Sequence, residues 1–108
     1  MTTKECFDRL AAVGTHAEGL CFDRDHGTFY FYSRNARITE MPETYAVALL
    51  CNAVLERHPD WNVHRVGRDS WSVSRQVGVT NARIDIAGAP TRLAALTLAA
   101  ERVAKEKA

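Results

Sequence analysis

The sequence predicts an α+β fold, an antiparallel β-sheet packed with helices in the order α-ββ-α-βββ-α. Three observations carry this expectation. Apolar residues recur at helical intervals in three stretches, about 3–13, 42–57 and 91–104. Between them the period falls to two, as in strands. The strands are joined by short connections, which favour antiparallel pairing over crossovers.

The first helix opens on Thr2, with Glu5 at capping-box spacing. Cys6, Phe7, Leu10, Ala11 and Val13 follow at helical intervals, and Gly14 is a natural stop. A hairpin comes next, with arms Leu20–Asp23 and Thr28–Ser33 and a turn of Arg24, Asp25, His26 and Gly27. Phe29 and Phe31 lie on one side of the second arm, Tyr30 and Tyr32 on the other. A strand apolar on both sides is either covered on both or left with an adhesive outer face. Residues 34–41 form a connection, with room for a short extra strand near Ile38.

Pro42 suits the first turn of the second helix, with Thr39 or Glu40 near its cap. Val47, Leu50, Cys51, Val54 and Leu55 mark its apolar face. It must end near Arg57, because Pro59 restricts His58 to extended geometry. Trp61 and Val63, then Trp71, Val73 and Val77, alternate with polar residues across a turn at Gly67-Arg68-Asp69. That is a second hairpin with its tryptophans turned inward. A further strand, about Ala82–Ala87, is expected to bury Ile84 and Ile86 and to point Arg83 and Asp85 outward. Gly88-Ala89-Pro90 breaks the chain. The last helix presents Leu93, Leu96, Ala100 and Val103 on one stripe, and its charged end, about 105–108, is expected to fray.

With 108 residues and no Pro/Gly/Ser linker, a single domain over 1–108 is expected. Hydrophobic residues at 46% and charged residues at 25% exclude pervasive disorder. Fourteen basic against thirteen acidic side chains exclude a strongly basic nucleic-acid packager. No apolar run approaches the length of a membrane span, so no membrane partner is expected. The start, MTTKECFDRL, has no basic region followed by an apolar run. With three scattered cysteines, this leads to the expectation of reduced thiols and a location in the cytoplasm of a bacterial host.

From residue 42 onward the stretches PETYAVALLCNAVLE, PDWNVHRVG, SWSVSRQVG and ARIDIAGAPTRLAALTLAAERV resemble the small phage and prophage proteins grouped as the phage ABA sandwich domain. The resemblance covers about residues 42–104. It implies a helix-sheet-helix sandwich and a phage setting, and it brings no catalytic residues. Many phage proteins of this size bind host machinery, so the context implies an inhibitor of a host defence complex, such as a CRISPR surveillance complex.

The residues offer little catalytic spacing. Neither Cys-x-x-Cys nor His-x-x-x-His occurs, and no metal or other cofactor is expected. Asp23, Arg24, Asp25 and His26 are ordinary turn residues as well as conceivable cation ligands. Ser70, Ser72, Ser74, His64 and Asp85 share neighbouring strands, and a hydrated sheet face explains them as well as a Ser/His/Asp arrangement does. A single glycine before Pro90 makes a poor phosphate cradle, since proline removes an amide donor.

Charge is distributed unevenly. Residues 57–92 hold six arginines against three aspartates, while residues 1–33 hold three basic and five acidic side chains. The expected function is therefore a non-enzymatic accessory binding protein. Its contact residues are expected among Tyr30, Tyr32, His64, Arg68 and Arg83, and its partner is a host protein or complex. The alternative is a nucleic-acid-binding module using the arginine-rich half. A second copy of the chain, paired along an open sheet edge, also stays open as a partner.

Overall fold

Thr2 and Glu5 set the first boundary as their spacing requires. In the computed structural model, which describes residues 1–32, 38–79 and 82–107, helix α1 runs Thr3–Ala12. The Thr2 hydroxyl accepts the Glu5 amide at 3.1 Å, which satisfies one of the donors a helix start leaves unpaired. Cys6 and Leu10 are its buried residues.

Strands β1 (Leu20–Asp23) and β2 (Thr28–Tyr32) form the expected hairpin. Gly27 takes a φ of 68° and donates its amide to the Asp23 carbonyl at 2.8 Å. A β-carbon there would meet nothing within 4 Å, so the left-handed backbone alone calls for glycine. The Asp23 carboxylate accepts the amides of Asp25 and His26, which closes the turn from its side chain. The short extra strand is present as β3 (Ile38–Met41), antiparallel to β2. Ser33 and the 34–37 connection lie outside the described residues.

Helix α2 spans Glu43–Arg57. Pro42 sits one position earlier than expected, at the N-cap, and no side chain caps this end. Its fixed φ of −57° leads the chain in, and its carbonyl accepts the Tyr45 amide. The helix stops at His58, whose φ of −130° and ψ of 73° lie outside the helical region that a following proline disfavours.

The second three strands are β4 (Trp61–Gly67), β5 (Ser70–Gln76) and β6 (Arg83–Ala89), all antiparallel with β5 central. Trp61, Val63, Val73, Trp71, Ala87 and Ala89 belong to the core or pack against it. The register of β5 against β6 shifts between Val73 and Ser74, which face Ala87 and Asp85. Ile86 is the extra residue of this bulge, so Ile86 turns inward while the parity before it changes. This corrects one expectation. Ile86 is buried, but Ile84 is 46% exposed and pairs with Arg75 at the sheet end. Val77 falls beyond β5 and is exposed as well. Gly88 and Ala89, expected to break the chain, complete β6, and Pro90 alone ends it.

Helix α3 (Arg92–Lys107) carries the expected stripe of Leu93, Leu96, Ala100 and Val103, all buried. Ala94, Ala95, Thr97 and Ala99 are buried too, because this helix meets α1 and α2 on one side and all three strands of the second sheet on the other. Small alanines let backbones approach closely on a helix surrounded in this way. Thr97, with no water available, donates its hydroxyl to the Leu93 carbonyl at 2.8 Å.

The α+β class with antiparallel strands is therefore as predicted, but the strands divide into two three-stranded sheets, β1-β2-β3 and β4-β5-β6. The first rests on α1 and α2 through Phe29, whose ring meets Phe7 at 5.6 Å and Phe22 at 4.9 Å. The second rests on α3. The helices thus lie between the sheets and supply their common core, and the far face of each sheet points away from them. The accessible surface is 7186 Å², against about 6000 Å² for a compact monomer of this mass. No described helix is long and apolar enough to cross a membrane.

His58 stacks on Trp61 with ring centroids 3.8 Å apart and planes 5° from parallel. Burial there pushes its pKa below the ordinary value, and Lys107 adds repulsion. The folded imidazole is the harder one to protonate, so the unfolded chain takes up the proton first. This contribution to stability is complete above about pH 6.5 and declines as the pH falls toward the folded value. Urea midpoints should accordingly drop between pH 7.5 and 5.5, and His58→Gln should lose part of that drop. An unchanged pH dependence in the variant would show that the stacked imidazole contributes none of it.

Candidate functional site: two open sheet faces

The first open face is built by strand alternation on β1, β2 and β3. Because Leu20, Phe22, Phe29 and Met41 turn toward the helices, Cys21, Asp23, Thr28, Tyr30, Tyr32 and Glu40 turn away. Tyr30 stands opposite Cys21 on one neighbour and opposite Glu40 on the other. Tyr32 is 53% exposed, and Tyr30 is half-buried. Of the two readings of this strand, the open outer face is the one realised: no described helix covers the tyrosines. Even Phe31, on the inner side, reaches the rim at 36% exposure.

Electrostatics divide this face. The His26 ring meets the Asp23 carboxylate at 2.7 Å and, together with the turn amides, holds that carboxyl below the usual range. Tyr30 interacts with the Cys21 thiol, which raises its phenol pKa, so the hydroxyl stays protonated at neutral pH. Asp23, His26, Thr28, Tyr30 and Glu40 together line an open groove of about 540 Å³.

The second open face lies on β4, β5 and β6. His64 stands opposite Ser72, which stands opposite Gly88; Asn62 stands opposite Ser74, which stands opposite Asp85. The register thus places His64, Ser72, Ser74 and Asp85 on one face, as the alternation predicts. Ser72 and Ser74 are buried beneath their longer neighbours. The His64 Nδ1 atom is buried without a hydrogen-bond partner among the described residues. His64 and Ser72 are thus opposed but not joined through Nδ1, so no nucleophile–base pair is assembled by that atom.

The arginines of the basic half are largely used by the fold itself. Arg83 donates to the Ser74 hydroxyl at 3.1 Å and to the Asp60 carbonyl at 3.0 Å, clasping β6 to β5 and to the start of β4. It points outward as expected, yet its fork is engaged. Arg65 binds the carbonyls of Gly67 and Arg68, Arg57 binds that of Gly14, and Arg102 that of Ile86. Arg75 faces Glu106 at 3.8 Å. Arg68 is exposed at the hairpin tip, where its side chain has no partner among the described residues.

Of the five predicted contact residues, the fold therefore brings Tyr30 and Tyr32 together on the first sheet. It sets His64 and Arg83 on the outer face of the second, with Arg68 at its tip. Glu40 and Asp23 are the contributors to the tyrosine face that the sequence reading missed as contact residues. The signal for Asp23 was the alternation of the first hairpin, and that for Glu40 the register of a third strand, which the short Ile38 segment only hinted at. Among the described residues, no group of three or more His, Cys, Asp or Glu side chains is arranged to hold a metal ion. No family model, curated protein or solved structure matches the chain.

Proposed function

We propose that this chain is a non-enzymatic binding protein that docks the outer face of its first sheet, centred on Tyr30 and Tyr32, onto another protein. The observation that carries the reading is the 53% exposure of Tyr32, on the same face as Tyr30 of a sheet that no described helix covers on that side. Tyrosine gives large apolar contact area at low entropic cost and keeps a polar handle, which suits it to interfaces. The surface excess over a compact monomer is supporting context, since extra area is what a partner can cover. The phage resemblance favours a host protein or complex as the partner, with inhibition of a defence assembly as the biological outcome. Nucleic acid is the weaker alternative, because Arg57, Arg65, Arg75, Arg83 and Arg102 are already held within the fold.

A photo-crosslinking residue placed at Tyr32 tests this in bacterial cells. One discrete protein adduct is expected from position 32 and none from the same residue at Arg68. Tyr30→Ala should weaken capture at least about tenfold, as loss of a central aromatic contact does. Adducts from position 68 alone would move the contact surface to the second sheet and overturn the proposal.

A further inference from the structure

We infer that the groove on the first sheet receives an arginine- or lysine-bearing segment of the partner protein; this rests on the docking reading above and adds the chemistry of what docks. The groove is lined by Asp23, His26, Thr28, Tyr30 and Glu40, so two carboxylates and a phenol face it, and among the described residues no lysine or arginine does. The Glu40 side chain is exposed and has no ion-pair partner among the described residues. Among the described residues Asp23 has one ion-pair partner, His26, whose side chain is itself 77% exposed. A carboxylate on β3 directly opposite a tyrosine on β2 offers a guanidinium both a bidentate acceptor and an aromatic surface. An anionic segment would meet like charge from both carboxylates, and an apolar one would leave them without water or partner.

Charge complementarity is therefore local rather than global. The whole chain carries +1, so a cationic probe is not drawn to it by net charge. Any attraction must come from a particular patch, and this groove is one that residues on the first sheet define.

Amide chemical shifts of the intact chain, followed by NMR during titration with a tetra-arginine amide peptide, test the inference. Saturable shifts are expected at residues 21–32 and 40, weakening as salt is raised. Glu40→Gln, at an exposed position, should keep the spectrum of the folded protein and weaken binding about fivefold, the effect of one charge-assisted contact. Unchanged affinity in Glu40→Gln, shifts confined to residues 61–89, or tighter binding of a tetra-glutamate peptide would each overturn it. Self-association through this face, seen as the same shifts on raising protein concentration without peptide, would also overturn it in favour of a second copy. The two proposals fail separately. If Tyr32 crosslinks a partner while tetra-arginine leaves the first sheet unmoved, the docking face stands and the cationic occupant is wrong. If neither responds, both fall.

Discussion

Gly19→Ala is expected to cost about 3 kcal/mol, combining a left-handed backbone penalty with overpacking. Gly19 holds a φ of 81°, where a side chain is strained whatever space surrounds it. Space is also lacking. A β-carbon at this position would come within 2.6 Å of the Phe31 ring and 2.9 Å of the Tyr32 carbonyl oxygen. The ring can tilt, but the carbonyl belongs to the backbone of β2 and cannot. Gly19 also accepts the Tyr32 amide at 2.8 Å, so this glycine closes the open end of the β1–β2 pair just beneath the tyrosine face. The expected result is a lower urea midpoint together with loss of capture by Tyr32, since the pair that presents Tyr32 is pushed apart. Partner capture at the wild-type level in a destabilised Gly19→Ala protein would show that the face does not depend on this close approach.

Leu96→Ala is expected to cost about 3–4 kcal/mol, within the range for a fully buried leucine that leaves a cavity. Leu96 is completely buried on α3, the helix that contacts α1, α2 and the second sheet. Its neighbours along the helix include Ala95, Ala99 and Ala100, which are too short to fill the vacated space. A domain of this size has a total stability of about 5–15 kcal/mol, so this one truncation removes a large share. Because α3 is common to both halves of the core, the two sheets should lose structure in a single transition. Far-ultraviolet circular dichroism and the combined fluorescence of Trp61 and Trp71 should give coincident urea curves shifted to lower midpoints. Separate transitions in the variant would show that each sheet, with its own helices, holds together independently.

Local chemistry made much of the fold readable. The Thr2 cap, the Gly27 turn, the stop imposed by Pro59 and the stripe on α3 each follow from the conformational limits of one or two residues and from apolar periodicity. Where the reading failed, the decisive partner was distant in sequence. Ile84 keeps the inward alternation, opposite Arg75 and on the side of Trp61, but it lies at the sheet end, beyond the reach of the core, and that reach is set by how the sheet meets the helices. The number of sheets was hidden for the same reason: alternation reports which side of a strand is apolar, and it is silent on which strand lies beside it.

The candidate site follows the same division. Its residues were visible as an aromatic strand with tyrosines on one parity, and the arginine excess of the second half could be counted directly. Whether those tyrosines were covered, and whether those arginines were free, depended on what the folded chain brings against them. By itself the sequence determined the helices, the hairpins, the inward tryptophans and the composition of each strand face, because these depend on backbone preference and the burial of nearby side chains. The tertiary structure alone decided that the helices lie between two sheets, that Tyr32 stays in solvent and Tyr30 stands opposite Glu40, and that Arg83 is spent on Ser74 and Asp60. Exposure and hydrogen-bond partnership are properties of pairs of segments, and a pair is fixed only when the whole core closes.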